Sequence, residues 1–409
     1  MSPRSPPPRD PFGHSASDPS VLSRRTFLGL IGAGTATGLS GCLGSDDSSP
    51  PSSLSSWPPR TDAERVVLRS VYERWLSWAE DRFEAEHGIG FRNWGDPSFW
   101  DHHSAETDAL SPVLNPIHDH VLDPVSDRLG NPLSSTEGPT RAIDVVDVRP
   151  GWLEAGVENG FVEPLPVEQM PAWKNVPERF RDGVHRRNGE TYGVPTEAVL
   201  TTLAYDTDAF EEPPDSWDVL WDDDYDGELV LGGGYWDLPL IAALHTGQDP
   251  KDPDDFGAIR DAMERLETQD PTMTYEDEIL REFQSGDPVV GTMWQSMAYR
   301  ARFDRGLAVD YTIPREGSVY KCYYHLVPTD APNPMAALRL LNWLSRPEAA
   351  AELFGRERAV PAADVGDELP DDVASYIRWD DDWTLYGMSS LLEADELSAR
   401  YAEIMRDVF

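Results

Sequence analysis

Tyr323-Tyr324-His325 places two phenols and an imidazole in succession, and His102-His103 with His118-Asp119-His120 adds ring nitrogens and a carboxylate. Donor sets of this kind can hold hard or borderline metal ions. Successive side chains of a strand point to opposite faces, so Tyr323 and Tyr324 reach one ion only if the strand bends. The histidines have no Cys or Glu at a familiar metal spacing, which makes them surface polar residues, with metal binding as the alternative. Catalytic motifs are missing: there is no Gly-x-Ser-x-Gly elbow, no His-Glu-x-x-His and no Gly-x-x-x-x-Gly-Lys. Cys322 sits in a strand-like run with no recognised His partner motif. Asp and Glu are so abundant that paired carboxylates carry no information. The chain is therefore expected not to be an enzyme and to need no cofactor, an exported hydrolase being the catalytic alternative.

Near the N-terminus the chemistry is that of export. Arg24-Arg25 stands directly before Leu28 to Leu39, a short stretch of Gly, Ala and apolar residues. A twin arginine ahead of an apolar segment below the roughly 20 residues needed to cross a bilayer reads as a twin-arginine signal. Leu39-Ser40-Gly41-Cys42 resembles the lipobox of exported lipoproteins, where the cysteine thiol takes a lipid. Residues 1–42 are thus expected to be a signal peptide, and Cys42 a lipid attachment point on the outer face of the cell membrane. The run of Ser, Asp and Pro over 43–61 reads as a flexible spacer. With Cys42 acylated, Cys322 has no disulfide partner, since these are the only two cysteines.

The elements that must position any site lie in a chain of 409 residues, long enough for two compact units. Its 74 acidic and 34 basic residues give a formal charge of −40, with lysine only at Lys174, Lys251 and Lys321. That charge excludes a basic nucleic-acid surface and suggests a fold adapted to concentrated salt, where carboxylate repulsion is screened. Val66 to Leu68 reads as a strand, and Trp75, Leu76, Trp78, Ala79 and Phe83 recur at helical spacing before Gly88. Ala142 to Val148 reads as a buried strand, and Trp152 to Asn159 as a helix closed by Gly160. In a second unit, Ser216 caps a short helix from Trp217, and Glu228 to Leu231 forms a strand leading into Gly232-Gly233-Gly234. Asp237 to His245, Phe256 to Leu266 and Met335 to Leu344 follow as helices, and Ser345-Arg346-Pro347-Glu348 has the pattern of a capping box. Alternation of this kind predicts an α/β fold with parallel sheets.

A set of segments in fixed order resembles the spermidine/putrescine-type solute-binding proteins of ABC importers. It runs through Asp144-Val145-Val146-Asp147-Val148, Gly160 to Leu165, Trp173 to Val176, Thr191-Tyr192-Gly193-Val194-Pro195 and Leu203 to Asp208. It continues through Pro213 to Trp217, Tyr225-Asp226-Gly227, Met293-Trp294, Pro314-Arg315-Glu316-Gly317 and Asn342 to Glu348, covering most of Ala142 to Ala362. The resemblance implies a type II periplasmic-binding-protein fold, two α/β lobes joined by two hinge crossings with the solute between them. The lobes are expected at 62–200 with about 322–368, and at 201–321 with about 369–409. The crossings fall near Leu200 to Tyr205 and Val319 to Tyr323. A monomer serving permease subunits and their ATPase is implied. Paired tyrosines that bind ferric ion in a related family of iron carriers keep metal transport as an alternative.

Carried over residue by residue, the resemblance keeps an aromatic at Trp294, followed by Gln295, and an acid at Asp237. Polyamine binders combine aromatic walls with carboxylates, because an alkyl ammonium stacks along its stem and ion-pairs at its ends. Here the pattern departs: Lys321 and Tyr323 stand where the family has an aromatic and a carboxylate. Arg149 follows the Asp144 to Val148 strand, and the glycines before Tyr235 replace an acidic loop. The departures share a positive sign, so the favoured ligand is a small organic anion or zwitterion clamped by Arg149 and Lys321 and stacked on Trp294, with a polyamine second. Glu197, beside the first crossing, is a further candidate.

Overall fold

The computed structural model describes residues 54–93, 143–158, 160–232, 237–274, 278–388 and 396–409. Arg24, Arg25, Cys42, His102, His103, His118, His120 and Tyr235 lie outside the described residues. Among the described residues no helix is long and apolar enough to cross a membrane.

The apolar run after Glu64 forms β1 (Arg65–Arg69), and the helix Glu73–His87 follows it. That helix buries Trp75, Leu76, Trp78, Ala79 and Phe83 on one face. It stops at Gly88, whose φ of 64° lets its N–H donate to the Glu84 carbonyl at 2.8 Å. The chain returns as β2 (Gly90–Asn93), parallel to β1, and β3 (Val145–Val148) pairs with the other side of β1. After the helix Pro150–Glu158 come a small hairpin, β4 (Arg186–Arg187) and β5 (Glu190–Thr191), and then the 13-residue β6 (Val194–Asp206). β7 (Leu229–Leu231), β8 (Thr272–Met273), β9 (Val290–Trp294), β10 (Val309–Thr312), β11 (Ser318–Leu326) and β12 (Leu385–Gly387) complete the sheets. The main sheet runs β2-β1-β3-β11-β6-β9-β7-β8, with β10 on β6 and β12 on β11.

The sheet is mixed rather than parallel. β6 and β11 are antiparallel to each other and to their neighbours β9 and β3, and each contributes residues to two separate cores. One core contains Val66, Leu68, Phe83, Val145, Ala198, Leu200, Cys322 and Tyr324. A second contains Leu203, Trp217, Leu231, Ile241, Val290, Val319 and Tyr401. The passage between them falls between Leu200 and Leu203 on β6 and between Val319 and Cys322 on β11. Tyr299, Phe354, Val360 and Ile377 form a small cluster of their own.

Ser216 caps the short turn Trp217–Trp221, accepting from the Asp218 N–H, as expected. Two local expectations are corrected. Ser345 makes no capping box: its hydroxyl donates to the Leu341 carbonyl at 2.8 Å, a nearer partner in the preceding helix, and Arg346 becomes the cap residue. The 369–409 segment does not belong to one core. Trp379 packs against Phe180 and Tyr320 in the first core, whereas Tyr401, Ile404 and Met405 lie in the second.

Candidate functional site

The registers of β6 and β11 determine which side chains meet. Glu197, Val199 and Thr201 alternate onto one face of β6, while Ala198 and Leu200 enter the first core from the other. Lys321 of β11 pairs with Val199, and Trp294 at the end of β9 pairs with Thr201. Paired residues project to the same side of a sheet, so Lys321 and Trp294 flank the Glu197–Thr201 row. Beyond Trp294, the helix Leu238–His245 begins at Asp237, whose Oδ2 accepts from Thr201 Oγ1 at 2.8 Å.

The Lys321 ammonium completes this group. Nζ lies 3.8 Å from Asp237 Oδ1 and 5.7 Å from the centre of the Trp294 ring. Its charge also acts on Glu197. Glu197 is mostly buried, and desolvation lifts its carboxyl from the ordinary 4.5 to about 7 against the opposing pull of the Tyr72 hydrogen bond and Lys321. Tyr72, at the entry to the helix Glu73–His87, donates its hydroxyl to Glu197 Oε2.

A second acid lies next to that pair. Asp147 of β3 is 9% exposed, and its Oδ2 accepts from Ser70 Oγ at 3.0 Å. Its other oxygen, Oδ1, is buried and receives no hydrogen bond. Burial raises the Asp147 carboxyl well above its ordinary value, and the nearby charge of Glu197 raises it further. Asp147 and Glu197 thus lie beside the first core and Asp237 at the start of a helix of the second, with the Lys321 ammonium close to Asp237 and acting on Glu197.

Four of the sequence candidates therefore come together: Glu197, Asp237, Trp294 and Lys321. Tyr323 is half-buried and close enough for its charge to act on Tyr72. Arg149 is half-buried directly after β3, two residues beyond Asp147. Gln295 is not part of the group. It is 1% exposed, its amide nitrogen donates to Tyr311 Oη and the Tyr376 carbonyl, and its oxygen accepts from Trp379 Nε1. Tyr324 turns away from Tyr323 into the first core, where its ring lies 5.0 Å from His185. The two phenols diverge, and among the described residues no three His, Cys, Asp or Glu side chains form a metal-ligand cluster. Cys322 is buried and its thiol is pushed up by desolvation, away from the reactive thiolate.

Tyr72, Ser70 and Asp147 were absent from the sequence candidates. Asp147 had a signal: a carboxylate within the otherwise apolar Val145-Val146-Asp147-Val148 needs a reason to be buried.

Comparison with known proteins adds a lineage to this geometry. Residues 129–387 match the family model described as bacterial extracellular solute-binding protein. The putrescine/agmatine-binding protein of Pseudomonas aeruginosa is 26% identical over 286 residues, 63% of this chain and 77% of that one. The putrescine-binding periplasmic protein of Escherichia coli is 26% identical over 232 residues, 51% of this chain and 62% of that protein. Among solved structures, the spermidine/putrescine ABC transporter substrate-binding protein of Streptococcus pneumoniae aligns with a TM-score of 0.63 at 15% identity. That alignment covers 85% of this chain and 98% of the other. A lipoprotein of Treponema pallidum aligns with a TM-score of 0.57 at 14% identity, over 85% and 99% of the two chains. The mixed α/β architecture is the one these solute-binding structures share.

Proposed function

This chain belongs to the bacterial extracellular solute-binding protein family, and from that premise we propose that it is the solute receptor of an ABC importer, holding a small polar solute at the junction of its two cores without altering it. The observation that carries this reading is the group at the crossing strands. Glu197 and Tyr72 lie beside the first core, Asp237 precedes a helix of the second, Trp294 packs on a third cluster with Ala204, Val230 and Met293, and Lys321 lies on a strand that enters both of the first two cores. A solute touching both sides favours the closed arrangement of the halves, and closure is the signal a permease can recognise. The Cys42 lipid would tether the receptor outside the cell after twin-arginine export, as a monomer presenting solute to permease and ATPase.

The geometry changes the reading of the ligand. An anion clamped by Lys321 would need that ammonium to have charge to spare, yet Asp237 and Glu197 already face it. An ammonium placed beside Asp147 and Glu197 favours their ionised forms, which burial alone disfavours, whereas an anion gains nothing from either. The solute is therefore a small amine-bearing molecule, on the zwitterionic rather than the anionic side of the sequence expectation. Mass spectrometry of the purified chain, denatured to release what it carries, tests the reading. One intact amine-bearing solute is expected. Absence of any such solute, together with no thermal stabilisation by small amines, would refute it.

A further inference from the structure

Lys321 has the partners that the charged end of an alkyl ammonium would seek. Its Nζ lies 3.8 Å from Asp237 Oδ1 and 5.7 Å from the centre of the Trp294 ring, so it has both the carboxylate and the aromatic face that an alkyl ammonium seeks. Asp237 is held in position by Thr201 at 2.8 Å. The register of β11 on β6, Lys321 opposite Val199, sets the stem on the same face as Glu197 and Thr201. The first-core side differs. There Asp147 Oδ1 is buried and accepts no hydrogen bond, beside the Tyr72–Glu197 pair. That oxygen lacks a donor, which the ammonium of a ligand can supply.

We propose that Lys321 is a built-in ammonium that fills the second-half cation position formed by Trp294 and Asp237, so that the receptor selects solutes with a single ammonium, held at Asp147 and Glu197, and rejects diamines. The inference rests on the receptor reading above and names its specificity determinant. A diamine reaching across the junction would bring its second ammonium against that of Lys321, and like charges at close range in a poorly solvated site repel strongly. Shortening the lysine to a neutral side chain frees Asp237 and Trp294 for the ligand.

The test is calorimetry on the full folded chain and on Lys321→Met and Lys321→Gln, the fold of each verified by circular dichroism. The probes are putrescine, 4-aminobutan-1-ol and 4-aminobutanoate, which share a four-carbon stem and differ in their second end. The native chain is expected to bind a single-ammonium probe at least tenfold more tightly than putrescine, and both variants to shift the ratio at least tenfold toward putrescine. The same preference in native and variant chains overturns the role of Lys321 and leaves the receptor reading intact. Tighter binding of putrescine by the native chain overturns it as well. Binding of no probe by any of the three also overturns it, and the receptor reading then stands or falls on the released-solute measurement.

Discussion

Replacing Glu197 with glutamine should stabilise the protein while weakening its hold on solute. Glutamine keeps an oxygen to accept the Tyr72 hydroxyl but removes a charge that burial disfavours. The Glu197 carboxyl is raised from 4.5 to about 7, a difference worth about 3 kcal/mol between its two protonation states. The direction follows from linkage. Between 4.5 and 7 the folded chain keeps the Glu197 proton that the unfolded chain loses, so this group's contribution falls as pH rises through that window and is level above it. Glu197→Gln removes the penalty. Denaturant unfolding followed by circular dichroism at pH 4 and pH 8 should show the two proteins nearly equal at pH 4, with the variant more stable by up to about 3 kcal/mol at pH 8. Calorimetry at pH 8 should show amine binding weakened at least tenfold. A variant no more stable than the native chain at pH 8 would mean that Glu197 is not a buried, disfavoured carboxylate, and the site's electrostatics would have to be rebuilt.

Other outcomes follow from individual residues. His325 is 2% exposed, and burial lowers its imidazole to about 3; its stabilising effect is complete above 6.5 and is lost as pH falls below that. His325→Phe should therefore remove up to about 3 kcal/mol of the acid destabilisation measured at pH 4. A Cβ on Gly291 would lie 1.7 Å from the Val230 carbonyl oxygen, across the parallel pairing of β7 and β9. Gly291→Ala should cost on the order of 4 kcal/mol. Gly355, inside the helix Pro347–Glu357 with nothing within 4 Å of an added Cβ, supplies the control. Gly355→Ala should raise the unfolding free energy by roughly 0.5–1 kcal/mol. With a net charge of −40, the thermal midpoint should rise with added potassium chloride into the molar range, and a midpoint highest in dilute buffer would contradict adaptation to salt.

What the sequence made legible was local. Trp75 to Phe83 and the stop at Gly88 follow from periodicity and a left-handed glycine, both within a few residues, and the Ser216 cap is equally local. Ser345 shows where local pattern fails: its hydroxyl donates to the carbonyl four residues back rather than accepting from the N–H groups of the next helix. Family likeness indicated Asp237, Trp294 and Lys321, which the structure brings near one another, but the balance of charge around them was not legible. Lys321 and Arg149 suggested an anion because the acids that face Lys321 come from elsewhere in the chain. Asp237 precedes it by 84 positions, and Tyr72 reaches Glu197 across 125. Gln295 was misplaced for a simpler reason: the chain leaves β9 for a helix at that residue, and the side chain turns from the junction into the core.

Closure of the two halves on a solute is the claim on which the account depends, and single-molecule energy transfer reads it directly. Lys174 in the first half and Ser285 in the second are exposed labelling positions, and the buried Cys322 should resist the dyes. In a Lys174→Cys, Ser285→Cys, Cys42→Ser chain, a saturating single-ammonium solute should collapse a broad distribution of distances into one shorter population. A distribution that stays unchanged with every small amine and zwitterion tried, while the chain remains folded, would contradict it.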